Sequence, residues 1–201
     1  MLNFISTHNM DRLAAEGVRF LKAFVTFSLC SPSRAAMLTG KDARTHGVNR
    51  LANDIVPGCA IFPALLKQAG YETGYTGKWH IGTASDVPNP AFDHWAGVRG
   101  QGQYIDPVMN INGSVTKVPG YVSEVFMDHA LEFVTRKRDK PFFLWLGQKA
   151  PHSPCTPPKH LEHLYDDVNV AKPPTYSESH DDKPAWFVEQ HDHDFFHLLL
   201  H

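Results

Sequence analysis

Three features of the amino-acid sequence predict a layered α/β fold with a mainly parallel central sheet. Helix-like and strand-like segments alternate from Asn9 to Leu146. The run Phe142-Phe143-Leu144-Trp145-Leu146 is the continuous apolar stretch expected of a strand buried on both faces. The 201 residues are 42% apolar and 11% aromatic, enough for one buried core.

Taken in order, Asn9 to Gly17 predicts a short helix, with Asn9 as N-cap, Asp11 in the first turn and Gly17 ending it. Val18 to Phe27 is rich in β-branched and aromatic residues and predicts a strand. In Ser31-Pro32-Ser33-Arg34-Ala35-Ala36-Met37-Leu38-Thr39-Gly40, a serine N-cap, a proline at the first helical position and a glycine stop predict a helix beginning just after Cys30. Ala60 to Ala69 reads as an amphipathic helix closed by Gly70, and Tyr71 to Gly77 as a strand entering a glycine turn. Residues 82–120, with many Gly, Pro, Asn and Asp, predict a long loop region with short strands. Ser123 to Arg138 carries the strongest helical pattern: Val125, Phe126, His129, Phe133 and Arg136 lie on or near one face, and a basic end suits the dipole. From Pro151 onward recurring prolines predict irregular, weakly packed chain.

The 19 Lys+Arg and 21 Asp+Glu give a formal charge of −2, which offers no sequence-wide attraction for nucleic acid or anionic membrane. No apolar run of about 18 residues could span a bilayer. The start Met1-Leu2-Asn3-Phe4-Ile5-Ser6 lacks the basic and apolar regions of a secretory signal. Three cysteines, Cys30, Cys59 and Cys155, cannot form a disulfide framework and leave at least one thiol over.

In parallel sheets, sites form beyond the carboxyl ends of the strands. Three segments fit that address: the loop at Cys30, the turn Gly77-Lys78-Trp79-His80, and Lys149-Ala150-Pro151-His152. A thiol at a helix start meets unpaired backbone N–H groups and the positive end of the dipole, which favour an anion. Arg34, four residues on, brings planar donors to the same end. A cysteine-phosphatase loop needs five residues between Cys and Arg, and only Ser31-Pro32-Ser33 separate them here.

The segment Cys30-Ser31-Pro32-Ser33-Arg34 followed by Leu38-Thr39-Gly40 resembles the type I sulfatase signature C-x-P-S-R-x-x-x-L-T-G. Gly70-Tyr71-Glu72-Thr73 and Gly77-Lys78-Trp79-His80 resemble the family's second signature. Further likeness at Asn9 to Phe20, Thr45-His46-Gly47-Val48 and Pro141 to Pro158 extends the resemblance over most of residues 9–175.

The resemblance implies an alkaline-phosphatase-like fold, incomplete in this chain, with residues 1–175 as part of a catalytic domain and 176–201 as an irregular His/Asp-rich tail or the start of a missing remainder. It implies that Cys30 is oxidised by a formylglycine-generating enzyme to formylglycine. One hydroxyl of the hydrated aldehyde would then attack sulfur and release the alcohol, and the other would expel sulfate as the aldehyde re-forms. Arg34 would steady the hydrated aldehyde. Lys78 and His80 would bind sulfate oxygens or assist the formylglycine hydroxyl, and His152 would stand near the leaving-group oxygen. His46 is read as structural, and Cys59 and Cys155 as ordinary thiols. The family holds a divalent cation, usually Ca2+, which the converted Cys30 would help to ligate. The usual Asp-Asp and Asp-Asn ligand pairs are not recognisable, and Asp166-Asp167 and Asp181-Asp182 read as solvated acids. This chain alone is therefore expected to have little or no activity. His191-Asp192-His193-Asp194-Phe195-Phe196-His197 is read as an exposed tail rather than a transition-metal site.

Phe92-Asp93-His94-Trp95, Gly100-Gln101-Gly102-Gln103-Tyr104 and Asn110-Ile111-Asn112-Gly113 resemble the N-acetylglucosamine-6-sulfatase and glycosaminoglycan group, and their aromatic and amide side chains suit sulfated sugars. Phosphodiesterase or phosphonate hydrolase relatives on the same fold, and a decayed non-catalytic sulfatase, are the alternatives. The family is mostly exported, to periplasm, cell exterior or lysosome. Unpaired apolar surface, an exposed sheet edge and poor solubility are expected of an incomplete domain.

Overall fold

The computed structural model describes residues 5–83, 86–172 and 182–186. The chain divides into two units, residues 18–152 and residues 1–17 with 153–201. The first is built on a five-stranded sheet ordered β4-β3-β2-β1-β5, with β1 at Glu72–Lys78, β2 at His94–Val98, β3 at Val108–Ile111, β4 at Ser114–Lys117 and β5 at Phe142–Gly147. β1 runs parallel to both β2 and β5, as the sequence predicts. β3 and β4 add an antiparallel hairpin to the outer side of β2. Its two-residue turn, Asn112-Gly113, has positive φ at both positions, which Asn-Gly tolerates best.

Among the described residues the first unit adds α2 (Cys30–Thr39), α3 (Ala43–His46), α4 (Phe62–Gln68) and α5 (Val122–Thr135) to the sheet, and the second unit holds α1 (His8–Glu16). Side chains alternate across the strands, so the sheet buries two faces. On one, Tyr75 and Trp95 stack at 4.5 Å between ring centroids and pack with Trp79, Ala35 and Leu38. On the other, Ala96, Val98 and Met109 meet Val122, Val125 and Phe126 of α5. Gly74 permits the close approach of that helix, since a Cβ there would stand 2.8 Å from Phe133 Cζ.

Several elements differ from expectation for identifiable reasons. Val18 to Phe27 forms no strand: Val18, Phe20, Leu21 and Phe24 are at least 80% exposed, and no strand among the described residues pairs with the segment. Its β-propensity is a preference for a half-buried pleated surface, which is not supplied here. α2 starts at Cys30 itself, with Leu29 rather than Ser31 as N-cap, because the Ser31 hydroxyl is spent on the His80 carbonyl. α1 starts at His8 after Thr7, so Asn9 is inside the helix. β5 is only half-buried over Phe143–Leu146, because among the described residues it pairs with β1 alone and leaves its other edge unpaired.

The basic end of α5 lies past its last turn. Arg138 donates from Nη2 to the Phe133 carbonyl, from Nη1 to the Val134 carbonyl at 3.3 Å, and from Nε to Glu72 at 2.9 Å. The helix end is thus capped by a side chain and tied to the start of β1. In the second unit, residues 153–172 hold one short 3₁₀ turn, Lys159–Leu161, and are mostly exposed. Asp166 pairs with His163 at 2.8 Å on the surface, and Asp167 is exposed. The His191–His197 segment, Asp181 and most of 176–201 lie outside the described residues.

Candidate active site

The three loops singled out in the sequence meet at one end of the sheet. β1 ends on Lys78, β5 ends on Gly147 and leads to Gln148–His152, and α2 starts at Cys30. Together they line a cleft of about 700 Å³ whose walls include Cys30, Ser33, Arg34, Lys78, Lys149 and His152. Among the described residues no carboxylate lines it.

Arg34 donates from Nη1 to the main-chain carbonyl of Lys78, so the first turns of α2 are tied to the end of β1. Gly147 makes room for this link: a Cβ there would meet Tyr75 Oη at 2.9 Å, the Lys78 carbonyl at 3.1 Å and Arg34 Nη1 at 3.2 Å. Gly77 has φ +117° with the Gly147 backbone against it, so a side chain is excluded sterically and conformationally. The sequence shows Gly77 as a turn signal; the close approach of the paired ends of β1 and β5 is what requires both glycines.

Lys78 is buried, and its ammonium donates to the Gln101 side-chain oxygen. Burial pulls its pKa below the ordinary lysine value; a negative charge on Cys30 favours the ammonium, while Arg34 and Lys149 oppose it. Lys149 is buried too, with Nζ 4.5 Å from the Tyr104 ring centroid. The Tyr104 hydroxyl donates to the His152 carbonyl at 2.5 Å. His80 is drawn toward the same centre but is not among the cleft-lining residues. Its carbonyl accepts from Ser31, and its buried Nδ1 has no hydrogen-bond partner among the described residues. Burial, then Lys78, Arg34 and His152, push its pKa down to about 4, so its ring is neutral near pH 7.

His46 is fully buried and Nδ1 accepts from the Val48 N–H at 3.1 Å, the structural role expected of it. Gln101, Tyr104 and Lys149 are the site residues that sequence reasoning left without this role. Gln101 and Tyr104, whose side-chain types suit a sugar, also hold groups of the site itself. Asn112 likewise serves the fold, accepting from the Trp95 N–H at 2.8 Å within the hairpin turn. The Asn-Gly pair was a legible hairpin signal.

Cys30 fits conversion to a polar nucleophile: it is half-buried, lines the cleft and lies within the electrostatic reach of Lys78. Calcium does not fit the residues present. It needs several oxygen ligands, and among the described residues no group of three or more His, Cys, Asp or Glu could hold a metal ion.

Comparison with known proteins shows the family and the fold. The sulfatase family model matches residues 3–193. An N-acetylglucosamine-6-O-sulfatase of Bacteroides thetaiotaomicron is 40% identical over 79% of this chain, which covers 29% of that relative. The human N-acetylgalactosamine-6-sulfatase is 32% identical over 74% of this chain and 35% of its own length. A solved protein in complex with its substrate D-glucosamine-2-N,6-O-disulfate superposes with TM-score 0.79 at 36% identity, covering 86% of this chain and 35% of that one. The chain thus spans about a third of the length of the relatives it matches.

Proposed function

This chain belongs to the sulfatase family, and we propose that it carries the nucleophile-bearing part of a site that hydrolyses sulfate esters of amino sugars. The observation that supports this best is the meeting of Cys30 at the start of α2 with Arg34, Lys78, Lys149 and His152 around one cleft without a lining carboxylate. A sulfuryl group spreads negative charge over several oxygens, so fixed cations complement it in the ground state and more so as charge develops. Arg34 is pre-set by its bond to the Lys78 carbonyl and turns guanidinium N–H donors toward the cleft. Lys78 offers a compact charge beside Cys30. His152 lines the cleft from the loop after β5 and would deliver a proton to the departing alcohol. His80, neutral near pH 7, acts as a hydrogen-bonding partner rather than as a cation.

Formylglycine, made from Cys30 by a formylglycine-generating enzyme, would supply a hydrated aldehyde as nucleophile and its own route for releasing sulfate. Calcium would need carboxylates other than those of the described residues, and no step is assigned to it here. The 201-residue chain alone is accordingly expected to turn over little or no sulfate ester. The amino-sugar 6-sulfatases among its relatives support a 6-O-sulfated N-acetylglucosamine or N-acetylgalactosamine as substrate. Export is the location expected of such a family member.

The test is mass spectrometry of the Cys30 peptide after co-expression with the modifying enzyme, with an aryl-sulfate assay against Cys30→Ala. A hydrazine-reactive carbonyl at position 30 supports the reading. A Cys30 that stays a thiol in an active complete protein would replace it with the phosphodiesterase or phosphonate hydrolase alternative. Turnover by the isolated chain well above the Cys30→Ala background would refute the expected inactivity.

A further inference from the structure

We propose that Gln101 is a positioning residue that holds the Lys78 ammonium through a neutral amide oxygen, leaving its full charge for one anionic group bound in the cleft. This rests on the reading of the cleft as a sulfuryl-ester site and names a residue that this reading does not use.

Lys78 is buried at the end of β1, where an ammonium needs an acceptor to fix its direction. A carboxylate would supply one and also cancel the charge. Among the described residues, Lys78 has no carboxylate partner: its side-chain acceptor is Gln101 Oε1, and the groups that set its charge state are Cys30, Arg34 and Lys149. A side-chain amide orients the ammonium and leaves the site positive. The price is a lysine held below its ordinary pKa, which binding of an anion would reverse.

The loop around Gln101 is built to stay in place. Gly102 has φ +65°, and a Cβ there would stand 2.9 Å from Val98 Cγ2, so the chain turns tightly over the end of β2. Two residues later, Tyr104 donates to the His152 carbonyl at 2.5 Å and lays its ring 4.5 Å from Lys149 Nζ. The segment from Gly100 to Tyr104 thus reaches one group on β1 and two on the loop after β5, and its amide and its aromatic face both meet ammonium groups.

The discriminating variant is Gln101→Glu, which keeps the size and the acceptor and adds the charge. With inorganic sulfate as the probe, binding to this chain followed by NMR near pH 7 should weaken about tenfold or more in Gln101→Glu, because the new carboxylate neutralises Lys78 at contact distance. The Lys78 pKa, read from its labelled side-chain carbon, should rise in the same variant, a change that a purely structural contact would not produce. Gln101→Met, which removes the acceptor, should also weaken sulfate, without raising the Lys78 pKa. Circular dichroism and thermal melting establish that each variant is folded. If wild type binds sulfate and Gln101→Glu binds it equally well, the proposal is overturned while the anion site stands. If wild type shows no sulfate binding and does not differ from Lys78→Met, the cleft is not an anion site and both readings fall.

Discussion

Arg34 in the second turn of α2 donates to the carbonyl of Lys78, the last residue of β1, so one guanidinium fixes the helix to the strand end whose side chain it neighbours. The bond spends a donor on the scaffold and orients the remaining donors. Arg34→Lys should therefore fail to restore the site although it keeps the charge, because a tetrahedral ammonium lacks the planar fork. Sulfate affinity, measured by titration of the folded variant, should fall roughly tenfold.

Gly147→Ala should displace the same link. The added methyl meets Tyr75 Oη, the Lys78 carbonyl and Arg34 Nη1 at 2.9–3.2 Å, and all three belong to packed elements that yield little. We expect a loss of about 1–3 kcal/mol in urea unfolding, together with weaker sulfate binding. Gly77→Ala, which adds backbone strain at φ +117°, should be the more damaging of the two.

His80 should make stability fall as pH is lowered. Its pKa is depressed to about 4 in the folded chain against 6.5 ordinarily, so the unfolded chain binds the extra proton first. The contribution is fully present above about 6.5 and is lost as pH drops toward 4. His94, also lowered by burial, acts in the same direction. Comparing urea midpoints from pH 4 to 7 isolates the His80 part, since His80→Gln should flatten the slope and leave the His94 share.

Phe24→Ser should be almost silent. Phe24 is 88% exposed and outside any strand, so unfolding free energy should change by less than about 0.5 kcal/mol. A large destabilisation would mean that Val18 to Phe27 is paired after all. Solubility should improve, since the segment presents Phe20, Leu21 and Phe24 together to water.

Arg138→Ala should cost more than an ordinary surface change. The side chain caps α5 through Phe133 and Val134, pairs with Glu72 and lies 4.5–4.7 Å from the Phe142 and Phe133 ring centroids. Losing those contacts should lower stability by about 1–3 kcal/mol in chemical denaturation.

How much was legible follows from the range of each interaction. α2, α4, α5, β1 and β5 were placed within a few residues, because caps, periodicity and apolar runs are local signals. Val18 to Phe27 was misread for the same reason: its local preference for a strand is real, but pairing depends on a neighbour that local sequence does not contain. A serine at position 31 locally predicts a cap, but its hydroxyl finds a carbonyl 49 residues away.

The sequence by itself determined the family, and its closely spaced motifs made Cys30, Arg34, Lys78, His80 and His152 the candidates for the chemistry, since such motifs are local signals. Only the tertiary structure decided which of them share a wall. It brought Cys30, Arg34, Lys78 and His152 to one cleft and set His80 off its lining. It also gave Gln101 and Tyr104 contacts to Lys78, Lys149 and His152 that no local signal announces. The physical reason is that a side chain's partner is set by where distant strand ends and loops converge, and burial makes an ammonium take the acceptor that convergence supplies.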